Sequence, residues 1–104
     1  MVAATREGAS VYLAEREQCF GGMATAAMVP AFMRFSDGIH FLAGGIGREV
    51  FDALYGESAD FTPIEFPIDT EKLKRIYDKL MVDSDALFFF RISFRVVCFF
   101  RRFS

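Results

Sequence analysis

The sequence contains no tryptophan, one histidine and only two cysteines, Cys19 and Cys98. The cysteines lack a C-x-x-C spacing, and His40 is the single imidazole, so neither a disulfide framework nor a zinc site of the thiolate–histidine type is expected. We predict no metal and two free thiols, which indicates a reducing, cytoplasmic compartment. His40 lies between two apolar residues without a serine, cysteine or acid at a diagnostic spacing, and we predict a structural role for it.

Long uninterrupted apolar runs are also missing. The most apolar stretch, residues 86–100, is broken by Arg91 and Arg95, whereas a transmembrane helix needs about 20 mostly apolar residues. We therefore predict no membrane span. Acidic residues are absent from residues 91–104, which carry four arginines, while all 14 acids lie in the first 90 residues.

The most informative stretch is residues 9–25. Residues 11–14, Val-Tyr-Leu-Ala, form a short apolar run typical of a buried strand. The acid Glu15 follows at the end of that strand, then the pair Gly21–Gly22, then helix-forming residues over 23–28. A carboxylate at a strand end accepts hydrogen bonds from ribose hydroxyls, and a glycine turn before a helix offers N–H groups to phosphate. On spacing alone, a strand that ends in a solvated acid before a glycine loop is the simpler explanation.

Four segments, 8–16, 21–25, 44–52 and 67–74, resemble in order and spacing the FAD-dependent oxidoreductases with a glutathione-reductase-type nucleotide-binding domain. They read Gly-Ala-Ser-Val-Tyr-Leu-Ala-Glu-Arg, Gly-Gly-Met-Ala-Thr, Gly-Gly-Ile-Gly-Arg-Glu-Val-Phe-Asp and Pro-Ile-Asp-Thr-Glu-Lys-Leu-Lys. The resemblance runs from about residue 2 to residue 97. It implies a flavoprotein with FAD as cofactor and a small-molecule substrate that these residues do not identify.

The resemblance also implies cofactor-binding residues. Glu15 matches the ribose-binding acid, and Arg16 is either a neighbour of the adenosine or a surface charge. A second cofactor contact corresponds to Gly21, Gly22, Met23, Ala24 and Thr25, with the threonine as a donor to phosphate or ribitol. The resemblance assigns no catalytic residue within this chain.

One element of the family pattern is missing, because the sequence contains no G-x-G-x-x-G turn. Residues 2–8 resemble the last turns of the helix that follows such a turn, with Gly8 as its stop. We therefore expect residues 1–97 to form a partial FAD-binding domain, incomplete for catalysis alone, and 98–104 to be a divergent or truncated tail.

The predicted fold is α/β and partly Rossmann-like. Two adjacent parallel strands are expected over 10–15 and 86–97, with helices over 23–28, 47–55 and 70–82. The last helix has the clearest pattern, since Asp69 is a suitable N-cap and the apolar residues that follow form one stripe: Leu73, Ile76, Tyr77, Leu80 and Met81.

The arginine- and phenylalanine-rich end of the chain suggests a different function. As an alternative, the chain is a non-catalytic interaction or membrane-surface protein that uses this segment. A packed strand with a charged outer face explains the same pattern more simply, and we predict no nucleic-acid partner. A strand with a neighbour on only one side is prone to pair with another chain, so self-association or a sheet-completing partner is expected.

Overall fold

A computed structural model describes residues 1–90 of the chain. The elements, in order, are α1 (Val2–Arg6), β1 (Tyr12–Ala14), a 3₁₀ helix (Gly22–Ala24), β2 (Ala31–Phe32), α2 (Ile46–Tyr55), β3 (Phe66–Pro67), α3 (Thr70–Asp83) and β4 (Leu87–Phe89). The second predicted strand is thus described only as far as Phe89, and the predicted tail lies outside the described residues. Within residues 1–90, no helix has both the length and the apolar content that crossing a membrane would require.

Strands β1 and β4 form a parallel pair, as predicted. Tyr12 pairs with Leu87, and Leu13 pairs with Phe88. Side chains alternate between the two faces of a strand, so Leu13 and Phe88 share the face that packs on the protein interior. Tyr12 and Leu87 lie on the opposite face and are exposed. The parallel pair with helices between its strands confirms the α/β class and a partial Rossmann-like arrangement.

Helix α3 has the predicted position and cap. The Asp69 side chain accepts a hydrogen bond from the backbone N–H of Lys72 at 3.1 Å, which satisfies one of the donors left free at a helix start. Leu73 is fully buried and Met81 nearly so. The 3.6-residue period of the apolar stripe therefore reports a real buried face.

Helix α3 also joins two apolar clusters. The first surrounds four buried residues, Val2, Phe20, Met81 and Ala86. The second surrounds three, Val50, Leu54 and Leu73. Tyr77 and Leu80 of α3 pack against both clusters, as does Ile46 of α2, so these two helices connect the parallel strands to the rest of the structure.

Beside the second cluster lies a group of rings that we call the aromatic cluster: Phe35, Phe41, Phe51, Tyr55, Phe61 and Phe66. Phe51 is its centre, since it is fully buried and its ring lies 5.1–5.3 Å from four of the other five rings. Most of these contacts are edge-to-face or tilted, which suits the ring quadrupoles. The Arg48 guanidinium caps the cluster, 4.5 Å from the centre of the Phe41 ring. The short antiparallel pair of β2 and β3 brings Phe66 into it.

The predicted helix over 23–28 is wrong in extent and type. Only the 3₁₀ helix Gly22–Ala24 forms, and Thr25 to Ala27 make a turn. Met28 has a positive φ of 56°, which an α-helix does not contain, and Pro30 prevents continuation. The good helix-forming residues here yield to the loop geometry that Gly21 and Gly22 impose.

Candidate functional site

Glu15 stands at the carboxyl end of the parallel pair. Its backbone N–H donates to the carbonyl oxygen of Phe89 at 2.8 Å, so the residue continues the pairing of β1 with β4. Its carboxylate Oε1 accepts the backbone N–H of Glu17 at 3.0 Å. Ligands of open parallel sheets bind outside this end of the strands. Glu15 therefore lies at the end of a parallel strand, and its contact with a ribose stays a prediction.

The two residues after Glu15 are exposed. Arg16 makes no hydrogen bond or ion pair with any other residue in the range 1–90. Glu17 lines a shallow depression of about 320 Å³ together with Gly22, Met23, Ala26 and Ala27. The bend that begins at Arg16 thus places a second acidic residue beside the predicted glycine contact.

Residues 20–25, which we call the glycine loop, are fixed at both ends. Phe20 is buried and packs edge-to-face on Phe88 of β4, with ring centres 5.2 Å apart. Thr25 is also buried, and its hydroxyl donates to the Phe20 carbonyl oxygen at 2.5 Å. The hydroxyl proton of Thr25 is therefore used inside the loop, and the predicted cofactor contact of this residue stays a prediction.

Between these ends the loop exposes backbone donors. Gly21 and Gly22 have φ angles of 105° and 58°, a region that glycine enters without steric cost. The first N–H groups of a helix have no acceptor inside it, and none of residues 1–90 accepts a hydrogen bond from the N–H of Gly22 or Met23. All three residues are exposed. These donors are suited to an anionic acceptor.

Gly21 also lies against an aromatic ring of α3. A Cβ atom added at Gly21 would overlap the Tyr77 ring, with Cδ2 at 2.8 Å, and would meet Thr25 Cγ2 at 2.9 Å. Burial raises the pKa of the Tyr77 phenol above its usual value of 10.0. The ring and Gly21 line the same apolar cleft of about 260 Å³, which extends to Met1 and Val2.

Within residues 1–90, the other candidate side chains form no comparable site. The Asp37 carboxylate accepts the backbone N–H groups of Ile39 and His40, which lowers its pKa, and His40 Nδ1 lies 3.4 Å from the same carboxylate. This is the hydrogen bonding of an aspartate-centred turn. Among residues 1–90, no three histidine, cysteine, aspartate or glutamate side chains are grouped to hold a metal ion.

A parallel strand pair with an acid at its carboxyl end and a donor-rich glycine loop defines the chain as a partial Rossmann-like α/β domain. The family model described as FAD dependent oxidoreductase matches residues 1–97. The chain belongs to this family, whose cofactor is FAD. No curated protein and no solved structure shows significant similarity to the chain.

The residues at this site fit one part of FAD. A carboxylate with one oxygen held by the Glu17 N–H suits vicinal ribose hydroxyls, and the free N–H groups of Gly22 and Met23 suit phosphate oxygens. Sequence reasoning missed the place of Glu17 beside the loop and the contact of Tyr77 with Gly21. The stripe in α3 indicates that Tyr77 is buried, but no local pattern indicates which loop it supports.

Proposed function

We propose that this chain contributes the adenosine and pyrophosphate contacts of an FAD site in a flavin-dependent oxidoreductase. Glu15 would accept hydrogen bonds from the ribose hydroxyls, and the N–H groups of Gly22 and Met23 would donate to the pyrophosphate. The observation that carries the proposal is the position of Glu15, because its backbone is fixed by Phe89 at the carboxyl end of a parallel strand pair.

Glu15 and the glycine loop would bind different parts of the cofactor. The hydrogen bond from the Glu17 N–H holds one oxygen of the Glu15 carboxylate in place, so a ribose would meet an acceptor that is already oriented. The glycine loop would act next to it, since loops without Cβ atoms allow a phosphate to approach the backbone closely. Arg16, which is exposed beside Glu15, would remain near the adenosine and add positive charge.

FAD, when bound, supplies the electron-transfer chemistry, and the protein contributes position and electrostatics. We propose that the reaction is the flavin-mediated oxidation or reduction of a small molecule, with catalytic groups other than those named here. The sequence contains no G-x-G-x-x-G turn, which normally provides the main pyrophosphate donors. We therefore infer that the 104 residues bind FAD weakly and are incomplete for catalysis alone. A free thiol at Cys19 suits a cytoplasmic location for this activity.

Titration of the purified chain with ADP and with FAD tests the proposal. ADP contains the ribose and the pyrophosphate without the flavin. We expect weak binding of both, and we expect Glu15→Ala to weaken it by about 1–3 kcal/mol, the loss typical of hydrogen bonds to a charged group. Glu57→Ala is the matched control, because Glu57 is an exposed acid in the loop after α2.

Two outcomes would contradict the proposal. Equal affinities of the Glu15→Ala and Glu57→Ala variants for ADP would rule out the proposed contact of Glu15 with the ribose. Purification of the chain with tightly bound, stoichiometric flavin would disprove the inference that the site is incomplete. Isothermal titration calorimetry and the absorption spectrum of the purified protein measure these quantities.

We also propose that the chain self-associates, or binds a partner that completes its sheet. The Leu87 N–H donates to Val11 and the Glu15 N–H to Phe89, so backbone groups of the odd-numbered residues face β4. The N–H and C=O groups of Tyr12 and Ala14 then point to the other edge, where no strand among residues 1–90 pairs with them. Such an edge accepts another strand.

A further inference from the structure

The contact between Gly21 and Tyr77 is closer than any side chain at position 21 would allow. A Cβ there would overlap the Tyr77 ring and also meet Thr25 at 2.9 Å. By contrast, a Cβ at the neighbouring Gly22 would meet nothing within 4 Å. Of the two glycines, only Gly21 is therefore required by packing, and the surface against which it packs is the Tyr77 ring.

The ring is in turn held by both apolar clusters. Tyr77 packs against the cluster of Phe20 and Met81 and against the cluster of Leu54 and Leu73. A flat, rigid ring fixed on two sides gives the glycine loop a defined support. Gly21, with φ of 105°, is the residue at which the chain turns from buried Phe20 to the exposed residues Gly22 and Met23.

We propose that Tyr77 is a positioning residue for the diphosphate-binding conformation of the glycine loop. Its ring supports Gly21 so that the N–H groups of Gly22 and Met23 point outward together toward two neighbouring phosphate oxygens. The inference rests on the proposed cofactor function of that loop. The hydroxyl of Tyr77 has no part in it, because burial alone, and no hydrogen bond within residues 1–90, alters its surroundings.

Binding of ADP to the full chain tests the inference through three variants. Tyr77→Leu removes the flat support but keeps an apolar side chain, and we expect at least about a tenfold loss of affinity, the scale of one misplaced hydrogen bond to a charged group. Tyr77→Phe keeps the ring, and its affinity should stay within about twofold of the original. Ile76→Val is the control for a small change in packing on the same helix.

A second measurement separates positioning from general packing. Gly21→Ala should weaken ADP binding strongly, since its Cβ meets the ring and its φ is unfavourable for alanine. In the Tyr77→Leu background the ring is gone, so the same alanine should cost less affinity than it costs in the original chain. Additive losses would show that Gly21 and Tyr77 act independently and would overturn the inference.

A spectroscopic signal is available because the chain has no tryptophan and three tyrosines. In a Tyr12→Phe, Tyr55→Phe variant, the tyrosine emission comes from Tyr77 alone. We expect ADP to change that emission with the same midpoint as calorimetry gives. Binding of ADP without any change in emission would contradict a role of the ring in the loop that binds it.

The outcomes test the role of Tyr77 separately from the proposed FAD-binding function on which it rests. Suppose that Glu15→Ala weakens ADP binding, whereas Tyr77→Leu is folded according to circular dichroism and binds ADP normally. The proposed site is then supported, and the proposed role of Tyr77 is refuted. If neither the original chain nor any variant responds to ADP at millimolar concentration, both proposals fail. Loss in Tyr77→Leu with recovery in Tyr77→Phe supports the inference.

Discussion

The aromatic cluster and the parallel strand pair differ in how completely they are covered. Phe51, at the centre of the cluster, is fully buried, and the Arg48 guanidinium covers one side of the rings. On the outer face of the strand pair, Tyr12 and Leu87 are 65% and 62% exposed. The cluster contains no predicted cofactor residue, whereas the strand pair ends at Glu15. The aromatic cluster is thus the covered region, and the candidate site lies at the end of the strand pair, whose outer face is open.

The exposed outer face of the strand pair is unusual for a parallel sheet. Parallel strands are usually covered on both faces, yet here Leu13 and Phe88 pack inward while Tyr12 stacks on Phe89 at 5.2 Å with both rings exposed. Apolar side chains in such a row gain free energy when another surface covers them. The difference between the regions therefore makes separate predictions for unfolding and for association.

The largest expected effect is the loss of the Phe51 ring. Phe51→Ala should destabilise the chain by about 3–5 kcal/mol, the cost typical of removing a buried ring and leaving a cavity. Phe89→Ala is the matched control, because Phe89 is 47% exposed, and its effect should be clearly smaller. Urea unfolding followed by circular dichroism measures both. Similar losses in the two variants would mean that the regions are equally important for stability.

Association should respond to the opposite region. Tyr12→Lys places a charge on the open face of β1, which discourages strand-to-strand and face-to-face pairing. We expect it to weaken self-association at least about tenfold, the effect of roughly 1.4 kcal/mol. Lys in place of Val82, another exposed apolar residue but on α3, controls for the charge. If sedimentation velocity shows the original chain to be a stable monomer, the premise that it self-associates is wrong.

The sequence indicates local features of both regions but not their contacts. Asp69 and the stripe from Leu73 define α3 because capping and helical period are local properties. The pairing of β1 with β4 follows from two apolar runs and a resemblance to known proteins. Two things could not be predicted: the pairing of Phe32 with Phe66 and the packing of Tyr77 under Gly21. Both depend on residues that only the folded chain brings together.

The helix that was wrongly predicted over 23–28 also shows that local sequence does not indicate tertiary contacts. Its residues favour a helix, but the buried Thr25 hydroxyl bonds to Phe20, and Gly21 is held on Tyr77. Tertiary contacts of this kind override a weak local propensity. The place of Glu15 directly after a strand was predictable, because it requires only that the apolar run before it forms a strand. The loop conformation was not, because a ring from α3 determines it.

Helix α3 packs against both apolar clusters, so weakening its start should lower the stability of the chain. Asp69→Ala removes the N-cap bond to Lys72 and should cost about 1 kcal/mol of stability. Asp78→Ala is the control in the exposed middle of the same helix, where alanine is a favourable residue. Hydrogen exchange should show faster exchange for amides of the first turn of α3. An unchanged urea midpoint in Asp69→Ala would show that the cap is not needed.

The smallest expected effect is the loss of stability at low pH, and it comes from two aspartates in the loops next to the aromatic cluster. Backbone N–H groups of His40 and Ile39 lower the pKa of Asp37 from its usual 3.8, and the Thr62 N–H and hydroxyl lower that of Asp60 from the same value. A carboxylate with a lowered pKa in the folded state stabilises the fold fully above its unfolded pKa, and this contribution disappears as the pH falls through the folded pKa.

Urea midpoints of Asp37→Asn and the original chain should therefore differ at neutral pH. They should begin to converge below about pH 4, where the unfolded carboxyl becomes protonated, and meet as the pH falls through the lower pKa of the folded carboxyl. Asparagine keeps the side-chain oxygen that accepts the Ile39 and His40 N–H groups, so the variant removes the charge but not the turn. Glu57→Gln removes a charge from another exposed position and controls for the net charge. A difference between Asp37→Asn and the original chain that stayed constant from neutral pH to pH 3 would exclude the carboxylate as its source, because both proteins would then respond to acid through the same other groups.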